Sequence, residues 1–449
     1  MLWHSVSFLR DDHDRSRGPE GVRRIRRVPP INGKMGTTLA GRRRGLSMQA
    51  PIVINNPLLD ATDLAFQQEV RSFLARELAP RAAAIENEQD WSAVQAAVRA
   101  VGEAGYLRLM FADLYHGALS APGLRHATLL SEEASYINYA FETTIATALS
   151  CAYALHRYAS APLRDRFLRP IVDGHAVGAI CVTEQNVGSD SAGMQTRMRL
   201  DSATGEWVIN GSKRYISNAS VADCYIIYGI TDPSVAAQKG MSAVLVPKGT
   251  AGLSFPRTYT FMGRRGCVVG ELALQDCRVP ADHLVGNLHE GARIMRDMFN
   301  FERIILGGSG LGVARSAFDI AQRHAQTRVV FGQPLGAKQL IWEKLANLSW
   351  RLESAALLTY RAATLYDQGL SGKSLMKEAA MAKLVATETA NICADETVQI
   401  LGGDGLTKEY GRAEQIFRDA RALTIVGGTS EMARYLIAAS VLPDIKLNL

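Results

Sequence analysis

Glu302 and Arg303 stand side by side in an otherwise apolar run, MFNFERIILGG, from Met298 to Gly308. A carboxylate and a guanidinium are costly to bury unless each finds a partner. In a helix, adjacent residues point in different directions, so the two cannot satisfy each other. Three and four residues away Glu302 meets only Met298, Phe299, Ile305 and Leu306. A carboxylate kept in low dielectric without a countercharge has a raised pKa, which suits it to remove a weakly acidic proton. The plainer reading is an ion pair with a distant arginine that stabilises a helix core.

Four further segments carry groups that bind polar ligands. CVTEQNVGSD (181–190) sets Thr183, Gly188 and Ser189 at the end of an apolar strand, where hydroxyls and N–H groups suit a cofactor or a phosphate. RYISN (214–218) offers Tyr215 and Ser217 on a strand. TRVVFGQPLGAKQ (327–339) places Arg328 and Phe331 at the end of a long helix, where an arginine can hold a phosphate or cap the helix. The stretch from Thr397 to Ala438 contains two glycine pairs, Gly402-Gly403 and Gly427-Gly428, the second opening a helix. Such a turn can receive an anion or a carbonyl oxygen. Alone, each segment is equally consistent with an ordinary turn, cap or strand.

The elements that must position these groups follow from periodicity. Residues 58–176 read as an N-terminal α-helical domain. Its first helix has Asp60 or Thr62 as cap, ends before Pro80, and carries a stripe of Leu64, Val70, Phe73, Leu74 and Leu78. Residues 177–285 read as a middle β domain, with strands in CYIIYGIT, MSAVLVPKG and ELALQDCRVP. Within EWVINGSKRYIS, the Asn210-Gly211 pair predicts a hairpin turn. From 286 to 449 long helices return. Ile341, Leu345, Leu348, Leu352 and Ala355 step by four and three, as do Leu375, Ala379, Ala382 and Ala386, which predicts an antiparallel bundle. The fold class is mainly α with a central β domain.

Composition narrows the function. At 449 residues, 47% hydrophobic and 21% charged, the chain can bury large cores. No apolar run approaches the roughly 20 residues of a bilayer span. Six scattered cysteines without a zinc spacing point to reduced thiols in a cytoplasmic protein and to no metal site. The net charge of +6 lies in the N-terminus, where residues 1–47 hold eleven Lys/Arg against four acids and leave the remainder close to neutral. That placement argues against nucleic-acid binding by the body of the protein. Residues 1–57 are expected to be a disordered basic extension. Acids at 11–14 argue against a transit peptide, and translation is expected to begin at Met35 or Met48.

Taken together and in order, these segments resemble the acyl-CoA dehydrogenase family over about residues 60–445. TEQNVGSD is similar to its TEPxAGSD loop, VINGSKRYISNA to NGxKxWITNA, RVVFGQPLGAKQ to RxxFGxxxxxxQ, and QILGGDGLTKEYGRAEQIFRDAR to QxxGGxGyxxEyPxexxxRDar. The resemblance implies a helical N-terminal domain, a β-barrel-like middle domain and a C-terminal four-helix bundle, usually assembled as a homotetramer. It implies FAD as cofactor. Val182, Thr183, Ser189, Tyr215, Ile216 and Ser217 would line the flavin. Arg328, Phe331, Gln339, Gln399, Gly402 and Gly403 would bind its pyrophosphate and adenosine, some from a neighbouring subunit. Thr429 and Glu431 would complete the cofactor site. The substrate would be an acyl thioester of CoA or an acyl carrier protein, touched by Ser189, Asn300, Arg303 and Gly427. An electron-transfer flavoprotein would be the acceptor.

The chain departs from the family at the base. Much of the family carries it as the Glu of a YEGT turn, which here reads Val426-Gly427-Gly428-Thr429. A minority, including isovaleryl- and long-chain acyl-CoA dehydrogenases, places the base on a bundle helix in a Glu-Arg pair, and Glu302-Arg303 matches that arrangement. Glu302 is then the expected base and the Gly427 N–H a donor to the thioester carbonyl. DLYHGA (113–118) replaces a PEEYGG-like loop, so the end of the acyl pocket is expected to be unusual. A related oxidase or monooxygenase using oxygen, and a non-catalytic flavin-binding partner, remain as alternatives.

Overall fold

The computed structural model describes residues 56–86, 91–111, 114 and 123–447. The basic extension, apart from Asn56 and Pro57, and the 113–118 loop, apart from Leu114, lie outside the described residues. The first helix, α1 (Ala61–Glu77), is started by Asp60. Its carboxylate accepts the N–H groups of Thr62 and Asp63, while Asp63 accepts the N–H of Asp60 at 3.1 Å. That reciprocal pairing satisfies donors a helix start leaves bare. Val70 and Leu74 are buried; Leu64, expected on the same stripe, faces solvent. Helices α2 (Trp91–Glu103), α3 (Gly123–Ile137) and α4 (Tyr139–Tyr158) follow, the last capped by Asn138.

Eight strands then form one sheet: β1 (Gly178–Cys181), β2 (Arg197–Asp201), β3 (Glu206–Ser217), β4 (Cys224–Ile230), β5 (Met241–Pro247), β6 (Leu253–Thr258), β7 (Val269–Pro280) and β8 (Leu284–Val285). Their order is β6-β7-β3-β2-β4-β5-β8, with β1 parallel to β4. Met198, Trp207, Ile209, Tyr225, Ile227, Val244, Val246 and Leu272 form a single core, so the sheet wraps around its own side chains in a barrel-like way. Every residue of β4 is buried. Tyr225 and Ile227 enter the sheet core, while Ile226, Tyr228 and Ile230 pack into the helical core, because alternate side chains leave a strand on opposite faces.

The hairpin expected at Asn210-Gly211 is absent. Both residues lie inside β3, which pairs along its length with β7 and shifts register between Ile209 and Gly211. A Cβ on Gly211 would stand 2.6 Å from Thr196 Oγ1, and Asn210 spends its amide on the side chain and N–H of Asp276. The glycine serves a bulge with a close backbone approach, which a dipeptide pattern cannot distinguish from a turn.

The C-terminal part is built on α5 (Gly291–Thr327), with α6 (Gln339–Asp367), α7 (Gly372–Leu401) and α8 (Ala413–Leu423) packed against it and α9 (Ser430–Val441) packed on α7. By length and composition α5 could cross a membrane, but its apolar window is almost wholly buried inside the protein. It sits at the centre because it has room for neighbours. A Cβ on Gly308 would meet Thr128 O of α3 at 2.6 Å, one on Gly312 would meet Glu132 O at 2.1 Å, and one on Gly310 would meet the backbone of Ala386 in α7 at 2.8 Å. The six cysteines are free and buried.

One ionic network ties α1, α3, α5 and α6 together. Arg315 pairs with Glu132 and, at 2.9 Å, with Glu133; Arg71 also holds Glu133 at 2.9 Å, and Tyr360 donates to Glu132. Burial pushes the Glu133 carboxyl up, but Arg315 and Arg71 outweigh it and hold it at about 2, against an ordinary 4.5. A depressed carboxyl contributes stability that is complete above the unfolded pKa and lost as pH falls through the folded one. Urea unfolding between pH 7 and pH 2 should therefore show stability falling from about pH 4.5 downward, by roughly 3 kcal/mol from this group. A flat profile over that range would refute the pairing.

Candidate active site

The helix α5 delivers Glu302 and Arg303 to a turn that links α8 to α9. Glu302 Oε1 lies 3.6 Å from where a Cβ on Gly427 would stand. Part of the Glu302 surface still meets solvent, so the carboxyl can be reached, yet no hydrogen bond or ion pair holds it among the described residues. Burial pushes it up to about 7, with Arg303 and then Lys383 pulling it down. The expectation of no nearby countercharge is thus corrected: two cations lie within electrostatic reach, and desolvation outweighs both. Arg303, itself pushed down to about 10 by burial, donates from Nε to Gly427 O at 3.3 Å and from Nη1 to Asn300 Oδ1 at 3.3 Å. Asn300 gives its Nδ2 to Gly372 O at 2.8 Å. Its amide is therefore used at both ends inside the protein, and it braces Arg303.

The turn itself is rich in free donors. Val426 N–H and Ser430 N–H are paired to Ala422 O and Thr424 O of the α8 end. The N–H groups of Gly427, Gly428 and Thr429 between them have no acceptor among the described residues. Gly427 and Gly428 have φ of +64° and +96°, a conformation residues other than glycine rarely adopt. Thr429 caps α9 by accepting Met432 N–H, and Glu431 lies exposed in the first turn.

Lys383 was not singled out in the sequence. It interrupts the buried α7 stripe between Ala379 and Ala386, four residues after one and three before the other, which is the signal that could have found it. A second buried carboxyl, Glu142 of α4, accepts from Ser131 and, at 2.8 Å, from Ser309; burial raises it to about 7, and Glu302 adds to the shift.

The loop and strand residues expected at the flavin ring come together on the sheet. Arg214 N–H donates to Thr183 O at 2.8 Å, and Lys213 Nζ to Val182 O at 3.1 Å, placing 182–183 beside 213–217. Val182 and Ile216 are buried, Thr183 and Ser217 half-buried, and Ser189 exposed. Tyr215 has φ of +56° where β3 and β7 shift register, which turns its ring onto Tyr259, centroids 4.9 Å apart. Glu184 fixes the loop bearing Ser189 by accepting from Lys213 Nζ at 2.8 Å and from the N–H groups of Gln195 and Thr196. Val182 and Phe301 both belong to the large hydrophobic core that joins one face of the sheet to the helices.

Arg328, Phe331, Gln339, Gln399, Gly402 and Gly403 are gathered elsewhere. Arg328 ends α5, and it and Asp404 both act on His324, which places the 402–406 turn beside it. All six are exposed, Phe331 at 97%. Twenty-five peptide steps along α5 put that end roughly 38 Å from Glu302. One chain does not bring the two groups into one site. The residues nonetheless fit FAD: a guanidinium without an ion pair among the described residues suits a pyrophosphate, an exposed ring suits an adenine, and nothing stands within 4 Å of a Cβ built on Gly402 or Gly403.

Comparison with known proteins fits this architecture. Family models for the N-terminal, middle and C-terminal domains of acyl-CoA dehydrogenase match residues 60–175, 179–277 and 289–442. The chain is 35% identical over 387 residues to the mitochondrial short-chain specific acyl-CoA dehydrogenase of Homo sapiens, covering 86% of this chain and 91% of that one. Among solved structures, butyryl-CoA dehydrogenase from Megasphaera elsdenii is 29% identical with a TM-score of 0.80, covering 86% of this chain and 99% of that one. A glutaryl-CoA dehydrogenase from Mycobacterium smegmatis in complex with FADH2 is 26% identical with a TM-score of 0.77, covering 87% and 97%. The chain belongs to the acyl-CoA dehydrogenase family of FAD-dependent enzymes.

Proposed function

We propose that Glu302 removes the α-proton of an acyl thioester, and that the β-hydrogen leaves as hydride to give the trans-2-enoyl product. FAD, when bound, supplies the two-electron acceptor for that hydride. The observation that carries the reading is a reachable carboxyl, desolvated and without a hydrogen bond, facing a turn with three free N–H groups. The carboxyl takes up the proton, and the N–H groups stabilise the charge that develops on the thioester oxygen. Val182, Thr183, Tyr215, Ile216 and Ser217 would hold the flavin, with Ser189, Thr429 and Glu431 at its edge. Arg328, Phe331, Gln339, Gln399, Gly402 and Gly403 would hold the adenosine end of FAD in a second copy of the chain, since about 38 Å separates them from Glu302 in their own. The exposed Leu340, Trp342, Leu406 and Tyr410 near that end give such a copy an apolar surface to cover. An electron-transfer flavoprotein would reoxidise the enzyme.

The test is anaerobic addition of acyl thioesters of different lengths while the flavin absorbance is followed. Bleaching is expected with at least one. A base must be ionised to act, so the reduction rate should fall about tenfold per pH unit below about 7 and level off above it. No bleaching with any thioester would sink the reading.

A further inference from the structure

Lys383 is completely shielded from solvent and makes no ion pair among the described residues. A buried ammonium is costly unless something nearby uses its charge. Its one hydrogen bond runs from Nζ to Gly428 O at 2.8 Å, and Arg303 Nε holds the preceding carbonyl, that of Gly427, at 3.3 Å. Two cations from two helices thus grip two consecutive carbonyls of one turn. In a trans peptide the C=O and the following N–H point in opposite directions. Fixing the oxygens of Gly427 and Gly428 on the cation side therefore aims the N–H groups of Gly428 and Thr429 away from it. Two glycines in succession offer the turn no side-chain restraint of their own. Its shape must be imposed from outside.

We infer that Lys383 is a positioning residue: it clamps the Gly427–Gly428 turn so that the free N–H groups are held ready for a thioester carbonyl, and its charge favours ionised Glu302. This inference rests on the reading of Glu302 as base. The charged groups around Lys383 are Glu302 and Arg303 of α5, Glu388 of its own helix and Glu431 of α9. Around Glu302 they are Arg303 and Lys383, with Glu142 of α4 and Tyr228 of β4 also within its influence. Glu142 and Tyr228 can only disfavour a negative Glu302, so the help comes from Arg303 and Lys383 alone. Burial also pushes Lys383 down, to about 8, so it remains charged at neutral pH.

The test uses FAD-loaded enzyme and two substitutions. Lys383→Met should raise the pH midpoint of anaerobic flavin reduction by about one unit. It should also weaken equilibrium binding of an acyl thioester about tenfold, measured by calorimetry in a Glu302→Gln background where no turnover occurs. Lys383→Arg keeps the charge and should return the midpoint to within a few tenths of a unit of the wild type. A purely structural lysine would lower stability and leave the midpoint in place. A folded, yellow Lys383→Met enzyme with the wild-type midpoint and affinity overturns the inference. If that variant does not fold, Lys383→Gln is read in its place, and the same result from it is equally fatal. The two proposals fail differently: no bleaching in the wild type removes the base assignment, whereas bleaching with an unmoved midpoint removes only the role of Lys383.

Discussion

Glu302→Gln should reduce anaerobic flavin reduction by acyl thioesters about 10²–10⁴-fold while the protein stays yellow. The amide is nearly isosteric, cannot accept the α-proton, and removes nothing that the structure uses to hold the turn. The same substitution has a second, opposite signature in stability. The folded Glu302 carboxyl is raised from 4.5 to about 7. A raised pKa means that the folded state resists ionisation, so stability is fullest below about 4.5 and falls as pH rises to about 7. Glu302→Gln escapes that loss and should unfold at higher urea than the wild type at pH 8, by about 1–3 kcal/mol, with the gap vanishing near pH 4. A variant that is inactive but no more stable at pH 8 would mean the carboxyl is not strained. One that reduces flavin at near wild-type rate would remove Glu302 from the chemistry.

Arg315→Met should be strongly destabilising, costing about 3–5 kcal/mol by urea unfolding at pH 7. It deletes the one cation that reaches both Glu132 and Glu133, each almost fully buried. Arg71 would still hold Glu133, but Glu132 would keep only the Tyr360 hydroxyl. Because the penalty comes from stranded negative charge, it should shrink as pH falls toward 4 and those carboxyls can protonate. A cost below about 1 kcal/mol would show that α1, α3, α5 and α6 do not depend on the network.

Much of this was legible in the sequence, for definable reasons. The order of helix, sheet and bundle follows from the change of period near residues 177 and 286, and the four-and-three spacing from Leu375 to Ala386 falls on buried positions. Glu302 could be picked out because its own helix offers it no partner, which is a local property. What needed the fold were contacts between distant segments. Asn210-Gly211 has the composition of a turn, but its meaning depends on Thr196 and Asp276, which no local pattern reveals. Asn300 looked like a substrate contact until Gly372 and Arg303 took its amide. Lys383 lies 81 positions after Glu302 and comes within electrostatic reach of it only because α7 packs on α5. Arg328 and Glu302 lie at separate places along one long helix, and only the length of α5 shows that roughly 38 Å parts them within a chain.

Residues 307–312 of α5 contain four glycines, at 307, 308, 310 and 312. Each weakens an isolated helix by about 1 kcal/mol relative to alanine, so this stretch has little tendency to coil before α3 and α7 are in contact with it. Glu302 sits less than two turns upstream. The order of events in folding is therefore constrained: the helix that bears the carboxyl becomes rigid only with the docking of its neighbours, which also brings Lys383 and the network around Arg315 into place. The carboxyl and its counter-ions are therefore expected to become ordered together, as α3 and α7 dock on α5.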